Sequence, residues 1–470
     1  MVPCRAVPAG SKGKPVQIRN CARSCEIHNG TQSLRHCPLQ DEKAGAGTSQ
    51  KTCHSQVEQQ GSGTSPSLNV SISMKRTALL LLCGALFMGA CQKIDQHEIP
   101  SKDNGLTGAV VNVDNFAYQA NKVFLLNEGS MGSNNATLDF LRLPAGLYIT
   151  DAFGKMNPSV GGGLGDVGND IAVINNELWI VVNNSGLVEV VSRDDETEIK
   201  AISVPTPRNI AFDANYAYVT SWAGAFSKYE DYELVDYANP KGQVYRINLK
   251  TKEVDGHIEV GYQPEGIAYY NGNLYVANSG GLTLPPTYSY DNTVSIIDAA
   301  SFTVKKEVEV QVNLNDVYSD GKGNIYLTTM GNYWDVHSGL YMLSAANPDS
   351  PVHVADYVSV STINGDTVYC IGTETEFEWG VDHSYSSFTV KNGVKTALSL
   401  NLTHTTPYSI GVLNENTIFV GELALSSYED EGQTKWSSDY FNPGTVTCYW
   451  HGNKLWTVQA GVCPGHFAIY

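Results

Sequence analysis

The sequence predicts an all-β chain: a seven-bladed β-propeller of four-stranded antiparallel blades over residues 119–470. Three observations carry this expectation. A pattern of roughly 40–50 residues recurs about seven times, and that is the repeat length of a propeller blade. Each copy reads as four short strands, with β-branched and aromatic residues alternating between turn residues. No stretch offers a long amphipathic helix. One copy shows the unit in full: Pro264-Glu-Gly-Ile-Ala-Tyr-Tyr-Asn271-Gly272-Asn-Leu-Tyr-Val-Ala-Asn278, then Thr293-Val-Ser-Ile-Ile-Asp298, then Phe302-Thr-Val-Lys-Lys-Glu-Val-Glu-Val310. Asn271-Gly272 supplies the two positive φ angles of a type I′ hairpin turn.

Residues 1–73 do not share this pattern. They are rich in Gly, Ser, Lys and Gln and hold five of the ten cysteines: Cys4, Cys21, Cys25, Cys37 and Cys53. His28, His36 and His54 lie nearby, but the spacings match no zinc motif. We read this stretch as a spurious or disordered extension, with translation starting at Met74. Residues 74–90 have the layout of a secretory signal: basic Met74-Lys75-Arg76, an apolar run from Thr77 to Met88, then Gly89-Ala90 before Cys91. The apolar run is short for a membrane span, which needs about 20 residues. Small residues directly before a cysteine resemble a bacterial lipobox, which implies that Cys91 is lipidated and that the chain is anchored to the outer membrane, at the cell surface. Residues 91–118 read as a tether.

Removing residues 1–90 leaves a net charge of about −24 by counting. So acidic a chain repels phosphate backbones, which argues against nucleic acid as a partner. Beyond Cys91 only Cys370, Cys448 and Cys463 remain. Export permits a disulfide between Cys448 and Cys463, and three free thiols in a packed sheet are the alternative.

The seven units follow in order. The first runs from about 120 to 160 and opens on Lys122-Val-Phe-Leu-Leu-Asn127. The second holds Asp170-Ile-Ala-Val-Ile-Asn175-Asn176-Glu-Leu-Trp-Ile-Val-Val182, and the third Asn209-Ile-Ala-Phe-Asp-Ala-Asn-Tyr-Ala-Tyr-Val-Thr220. The fourth is quoted above. The fifth has Asp320-Gly-Lys-Gly-Asn-Ile-Tyr-Leu-Thr-Thr329, and the sixth Asn364-Gly365-Asp-Thr-Val-Tyr-Cys-Ile371. The seventh has Asn414-Glu-Asn-Thr-Ile-Phe-Val-Gly421 and Gly444-Thr-Val-Thr-Cys-Tyr-Trp450.

Strand direction alternates within a blade. First-to-second turns therefore lie on one face, while second-to-third loops and the crossings between blades lie on the other. The first-to-second turns are minimal. The second-to-third loops are long in five consecutive blades, and such loops are uncommon without a functional reason. They carry Trp222, Phe226, Tyr229, Tyr232 and Tyr237 in the third blade and Tyr288 and Tyr290 in the fourth. The fifth adds Tyr333, Trp334 and His337, and the sixth Phe377, Trp379, His383 and Tyr385. The seventh adds Tyr428, Trp436, Tyr440 and Phe441. Each such ring either packs within its own loop or meets a ligand. Their clustering on one face favours binding of a bulky ligand with an apolar body and polar rim.

The crossings bring Asn169, Asp170, Arg208, Asn209, Gln263, Glu265, Asn315, Asp316 and Tyr408 towards the channel mouth on that same face. These residues either cap turns or bind polar ligand groups. A ring of amides and carboxylates also suits a hard cation such as calcium, although no metal is specified. Catalytic signals are weak. Gly163-Leu-Gly165-Asp-Val-Gly168 spells G-x-G-x-x-G but opens no helix in a βαβ unit, so it reads as a loop. No catalytic residue is assigned.

The repeat wording Pro-x-x-Ile-Ala…Asn-Gly-Asn-Leu-Tyr-Val-Ala-Asn…Val-Ser-Ile-Ile-Asp resembles the YncE-like, YVTN-type seven-bladed propellers over residues 120–470. The opening Val123-Phe-Leu-Leu-Asn-Glu-Gly129 and closing Gly461-Val-Cys-Pro-Gly-His-Phe467 resemble a branch of Bacteroidetes lipoproteins, the BtuG-type cobalamin-capturing surface proteins. The resemblance implies a corrinoid as ligand rather than cofactor, and a TonB-dependent transporter as partner. Its fold part is the specific one. The candidate ligand-binding residues are Asn169, Arg208, Trp222, Glu265, Tyr290, Asn315, Tyr333, Trp334, Trp379, Tyr385, Trp436 and Tyr440. Two alternatives stand beside capture: a protein-interaction propeller, and a metal-dependent lactonase- or lyase-like enzyme using Glu265, Asn315 and Asp316.

Overall fold

In the computed structural model, the described residues are 106–470 except 115, 117–119, 231–232, 282–289, 333–334, 374–384, 403–404 and 431–432. The signal segment, Cys91, Tyr333, Trp334 and Trp379 lie outside them. Seven antiparallel sheets close into a propeller ring. Their innermost strands, in ring order, are Gly168–Ile174, Pro207–Phe212, Pro264–Tyr270, Leu314–Ser319, Val360–Asn364, Pro407–Asn414 and Pro464–Ile469. Neighbours in this series pack together, and the last packs back onto the first.

The first unit is not self-contained, which corrects the contiguous reading of residues 120–160. Lys122–Asn127 is the second strand of its blade, and the inner strand beside it is the C-terminal Pro464–Ile469. Thr137–Arg142 and Leu147–Ile149 complete the blade. Pairing the chain's end with its beginning closes the ring and removes the open inner edge that each would otherwise present. Part of the segment read as a tether is also drawn in. Ala109–Val110 adds a fifth strand outside Leu147–Ile149. Val113 and Phe116 are buried beside Phe419, Val446 and Cys448 of the seventh blade.

The alternation expected of half-buried strands is filled the same way in successive blades. The third residue of the second strand is a large ring, Trp179, Tyr218, Tyr275, Tyr326, Tyr369 or Phe419, and all six are buried between blades. Fully burying a side chain of this size contributes roughly 1.5–3 kcal/mol. Polar handles find partners where the wall allows: the Tyr218 hydroxyl donates to Asp213 at 2.8 Å, and the Gly393 N–H donates to the Tyr326 hydroxyl at 3.1 Å. Cys370, Cys448 and Cys463 are buried and no disulfide joins them, so the Cys448–Cys463 pairing does not form. Gly163–Gly168 leads through turns into a strand, as a loop reading requires. Among the described residues no helix is long and apolar enough to cross a membrane.

The two faces differ as strand direction implies. Asn271 and Gly272 have φ of 45° and 81°, the type I′ geometry. The first-to-second connections are 175–176, 213–215, 271–272, 320–323, 365–366 and 415–416. On the other face the second-to-third connections are 222–240, 279–292, 330–338, 374–384 and 423–442 in blades three to seven. Two of these fold into added hairpins, Phe226–Glu230 with Glu233–Ala238 and Ala424–Asp430 with Gln433–Asp439.

Candidate functional site

The loop face is anchored by one repeated device. Shortly before an inner strand the chain takes a positive φ at a residue other than glycine: Val167, Thr206, Gln263, Asn313, Tyr357 or Cys463. Such a dihedral is uncommon for any side chain and an outlier for a β-branched one. The carbonyl of that residue accepts the N–H of the first residue beyond the second strand: Asn183 to Val167 at 2.7 Å, Trp222 to Thr206 at 3.1 Å, Ser279 to Gln263 at 3.2 Å and Met330 to Asn313 at 3.0 Å. Glu128 to Cys463 at 2.8 Å repeats it across the ring closure. The root of each of these loops is thereby tied to a crossing. Hydroxyls reinforce it, with Ser279 Oγ donating to the Gln263 carbonyl at 2.8 Å.

Four of the candidate residues come together on this scaffold. Arg208 Nε donates to Glu265 Oε2 at 2.8 Å, and both side chains are only 3% exposed. The Arg208 guanidinium lies over the Trp222 ring, 4.3 Å from its centroid. Asn169 Nδ2 donates to the Arg208 carbonyl at 2.8 Å, and Thr220 Oγ1 donates to the Glu265 carbonyl at 2.7 Å. Burial raises the Glu265 carboxyl above its ordinary range, and the Arg208 charge opposes that rise. The pairing engages one carboxylate oxygen of Glu265 and leaves the other, Oε1, without a hydrogen-bond partner. Asn315 is buried on the next inner strand, against Gly266, where a Cβ would come within 2.5 Å of the Asn315 carbonyl oxygen.

A second cluster marks the ring closure. The Tyr408 hydroxyl donates to Glu128 Oε2 at 2.6 Å, and His466 Nε2 lies 3.2 Å from Glu128 Oε1. Tyr440, another candidate, is buried edge-on against Tyr408, and its carbonyl accepts Ser130 Oγ at 2.5 Å. Tyr440 is therefore buried rather than exposed in its loop. Between the clusters the inner strands enclose a cavity of about 250 Å³ whose wall includes Asp170, Asn209, Asp316, Ser361, Ser409 and His466. Burial raises the Asp170 carboxyl, while His466 and the Ile210 N–H, at 3.0 Å, act the other way. Among the described residues no three His, Cys, Asp or Glu side chains gather to hold a metal ion.

The outer loops present apolar surface to water on this face. Trp436 is 56% exposed and Phe441 49%, with Tyr262 beside them in kind at 41%. Tyr290 and Tyr385 are half-buried. Sequence reasoning did not single out Glu128, Tyr262 or His466. A signal for His466 existed: Pro464-Gly-His466 falls in step with Pro264-Glu-Gly266, so His466 occupies a channel-facing register.

No family model and no curated protein matches the chain. Among solved structures it is similar to hydrazine synthase of Kuenenia stuttgartiensis, at 12% identity and a TM-score of 0.47, covering 64% of this chain and 89% of that one. It is also similar to U3-55K, at 7% identity and a TM-score of 0.39, covering 62% and 81%.

Proposed function

We propose that this protein is a binding propeller without a catalytic role, whose looped face captures a bulky ligand with an apolar body and a polar rim. The ligand we infer is a corrinoid, cobalamin, delivered to a TonB-dependent outer-membrane transporter, with the chain anchored at the cell surface by lipid on Cys91. One observation carries the reading: the long second-to-third connections lie on one face, one of them bearing the exposed rings Trp436 and Phe441, while the opposite face turns in the fewest residues. A structural need for loop packing has no reason to select one face, whereas exposed rings beside polar groups suit the capture of a ligand with an apolar body and polar rim. A corrin ring is flat and apolar and bears amide arms, so it fits both the exposed rings and the polar mouth.

The added hairpins support a second reading, in which the same face docks a protein. Calorimetric titration with cyanocobalamin separates the two. Nanomolar binding that weakens at least about tenfold in Trp436→Ala supports capture. No heat at micromolar protein removes the corrinoid and leaves the face to a protein partner.

A further inference from the structure

We propose that Trp222, Arg208 and Glu265 form a carboxamide-binding subsite at the seam between the third and fourth blades. The proposal deepens the corrinoid reading, on which it rests for the identity of the whole ligand, but the subsite can be tested without one. Trp222 is 6% exposed and its indole Nε1–H has no acceptor; Glu265 is 2% exposed and its Oε1 has no donor. Buried polar atoms are nearly always satisfied, so an unpaired donor and an unpaired acceptor in one cluster call for an explanation. Both residues touch the same guanidinium: Arg208 donates to the other carboxylate oxygen of Glu265 at 2.8 Å and stacks on Trp222 at 4.3 Å.

The two vacant positions are chemically complementary. A primary carboxamide offers an acceptor and a donor on one planar group: its carbonyl takes the indole N–H, and its NH₂ gives to Glu265 Oε1. A carboxylate in the same place meets the Glu265 charge, and an ammonium leaves the indole bare, so the site discriminates by what it leaves unpaired. Arg208 occupies the other carboxylate oxygen of Glu265 and leaves Oε1 without a donor. The cluster is also placed for a ligand arriving at the loop face. Trp222 is the first residue of the 222–240 connection, tied to Thr206 O, and Glu265 is the second residue of the fourth blade's inner strand, Pro264–Tyr270. A single trapped water carries the same donor and acceptor, and the test distinguishes it.

The indole N–H resonances of the seven tryptophans are followed by ¹⁵N NMR, with that of Trp222 assigned by its disappearance in Trp222→Phe. Acetamide is expected to shift the Trp222 resonance saturably, while acetate and methylammonium leave it in place. Glu265→Gln is expected to weaken the acetamide response by about tenfold. A resonance unmoved by acetamide, or moved equally by acetate, overturns the subsite and leaves a trapped water only. The wild-type titration needs no variant, so a misfolded Glu265→Gln does not decide the outcome. If acetamide binds and cyanocobalamin does not, the subsite stands and the corrinoid reading falls. If cyanocobalamin binds with an affinity indifferent to Trp222→Phe, the subsite falls and the corrinoid reading stands.

Discussion

On the face of the Asn271–Gly272 turn the chain reverses tightly, and charged side chains tie blade to blade: Lys252 to Glu177 at 2.7 Å, and Lys322 to Asp366, whose carboxylate also meets Lys391 of its own blade at 2.9 Å. On the opposite face the same repeat spends residues 222–240 and 423–442 on loops, leaves Trp436 in water, and buries Trp222 and Glu265 with a polar atom unpaired on each. One face spends few residues on its turns and the other spends many on its loops. Evolution had the same strand register to work with on both, so the difference locates what the fold is for rather than what holds it up.

The largest effect should come from breaking the buried pair beneath the loop face. Glu265→Ala leaves Arg208 charged and dry, which costs about 3–5 kcal/mol. Urea unfolding should show it as a large drop in midpoint. The matching change on the turn face, Lys322→Ala, removes an exposed partner of the half-buried Asp366, which keeps Lys391, and should leave the midpoint close to wild type. Equal losses from the two variants would erase the distinction drawn between the faces.

The walls between the faces add a pH dependence whose sign can be worked out. Glu189 is 3% exposed, its Oε2 has no partner, and burial followed by the nearby Glu198 charge raises its carboxyl to about 7. An acid raised on folding stays protonated in the native state while the unfolded chain has already ionised. Stability therefore falls as pH rises from the unfolded value near 4.5 towards 7, by about 2–3 kcal/mol. Asp139, raised to about 6 chiefly by burial, acts in the same direction. Asp366 acts oppositely: hydrogen bonds from Lys322 and then Lys391 lower its carboxyl, so its contribution is lost only in strong acid. Glu189→Gln should flatten the slope between pH 5 and 8 in urea titrations; an unchanged slope would show that Glu189 is hydrated and ionised.

A smaller effect on stability, but a decisive one for binding, belongs to the exposed ring. Trp436→Ala should change stability by no more than about 0.5 kcal/mol, because an exposed side chain away from the core carries little. Ligand affinity should nevertheless fall about tenfold or more. A variant that binds normally shifts the site from the seventh-blade hairpin towards the channel mouth.

Much of this organisation is legible in the residues themselves. The Asn-Gly turns, the aromatic third residue of each second strand and the long second-to-third connections identify blades and faces without a structure, because each is local to one repeat. What is not local stays hidden. Lys122–Asn127 reads as the start of a blade because its inner neighbour, Pro464–Ile469, lies at the other end of the chain. Register placed Arg208 and Glu265 both near the mouth, but only the twist between blades brings them together across 57 positions. The Tyr408–Glu128 bond spans 280. Burial of Tyr440 was equally out of reach, since a tyrosine in a long loop is written the same way whether it packs or protrudes.

The mildest prediction concerns the crossings, where both faces use positive φ but with different residues. The Asn271–Gly272 turn takes it with the residue types that tolerate it, whereas Thr206, at φ 40°, is β-branched. Its strained backbone persists because its carbonyl accepts Trp222 N–H at 3.1 Å and its hydroxyl accepts Gly224 N–H at 3.1 Å. Thr206→Gly keeps the first bond, gives up the second, which is exposed, and removes the clash at Cβ. The unfolded chain gains freedom at the same time, which offsets part of the relief. The net should be a stabilisation below about 1 kcal/mol, with the Trp222 indole resonance and ligand affinity unchanged. If the variant is more stable but binds less tightly, the strained crossing is itself part of how the loop face is held in its binding shape, and the contrast between the faces extends from side chains to the backbone.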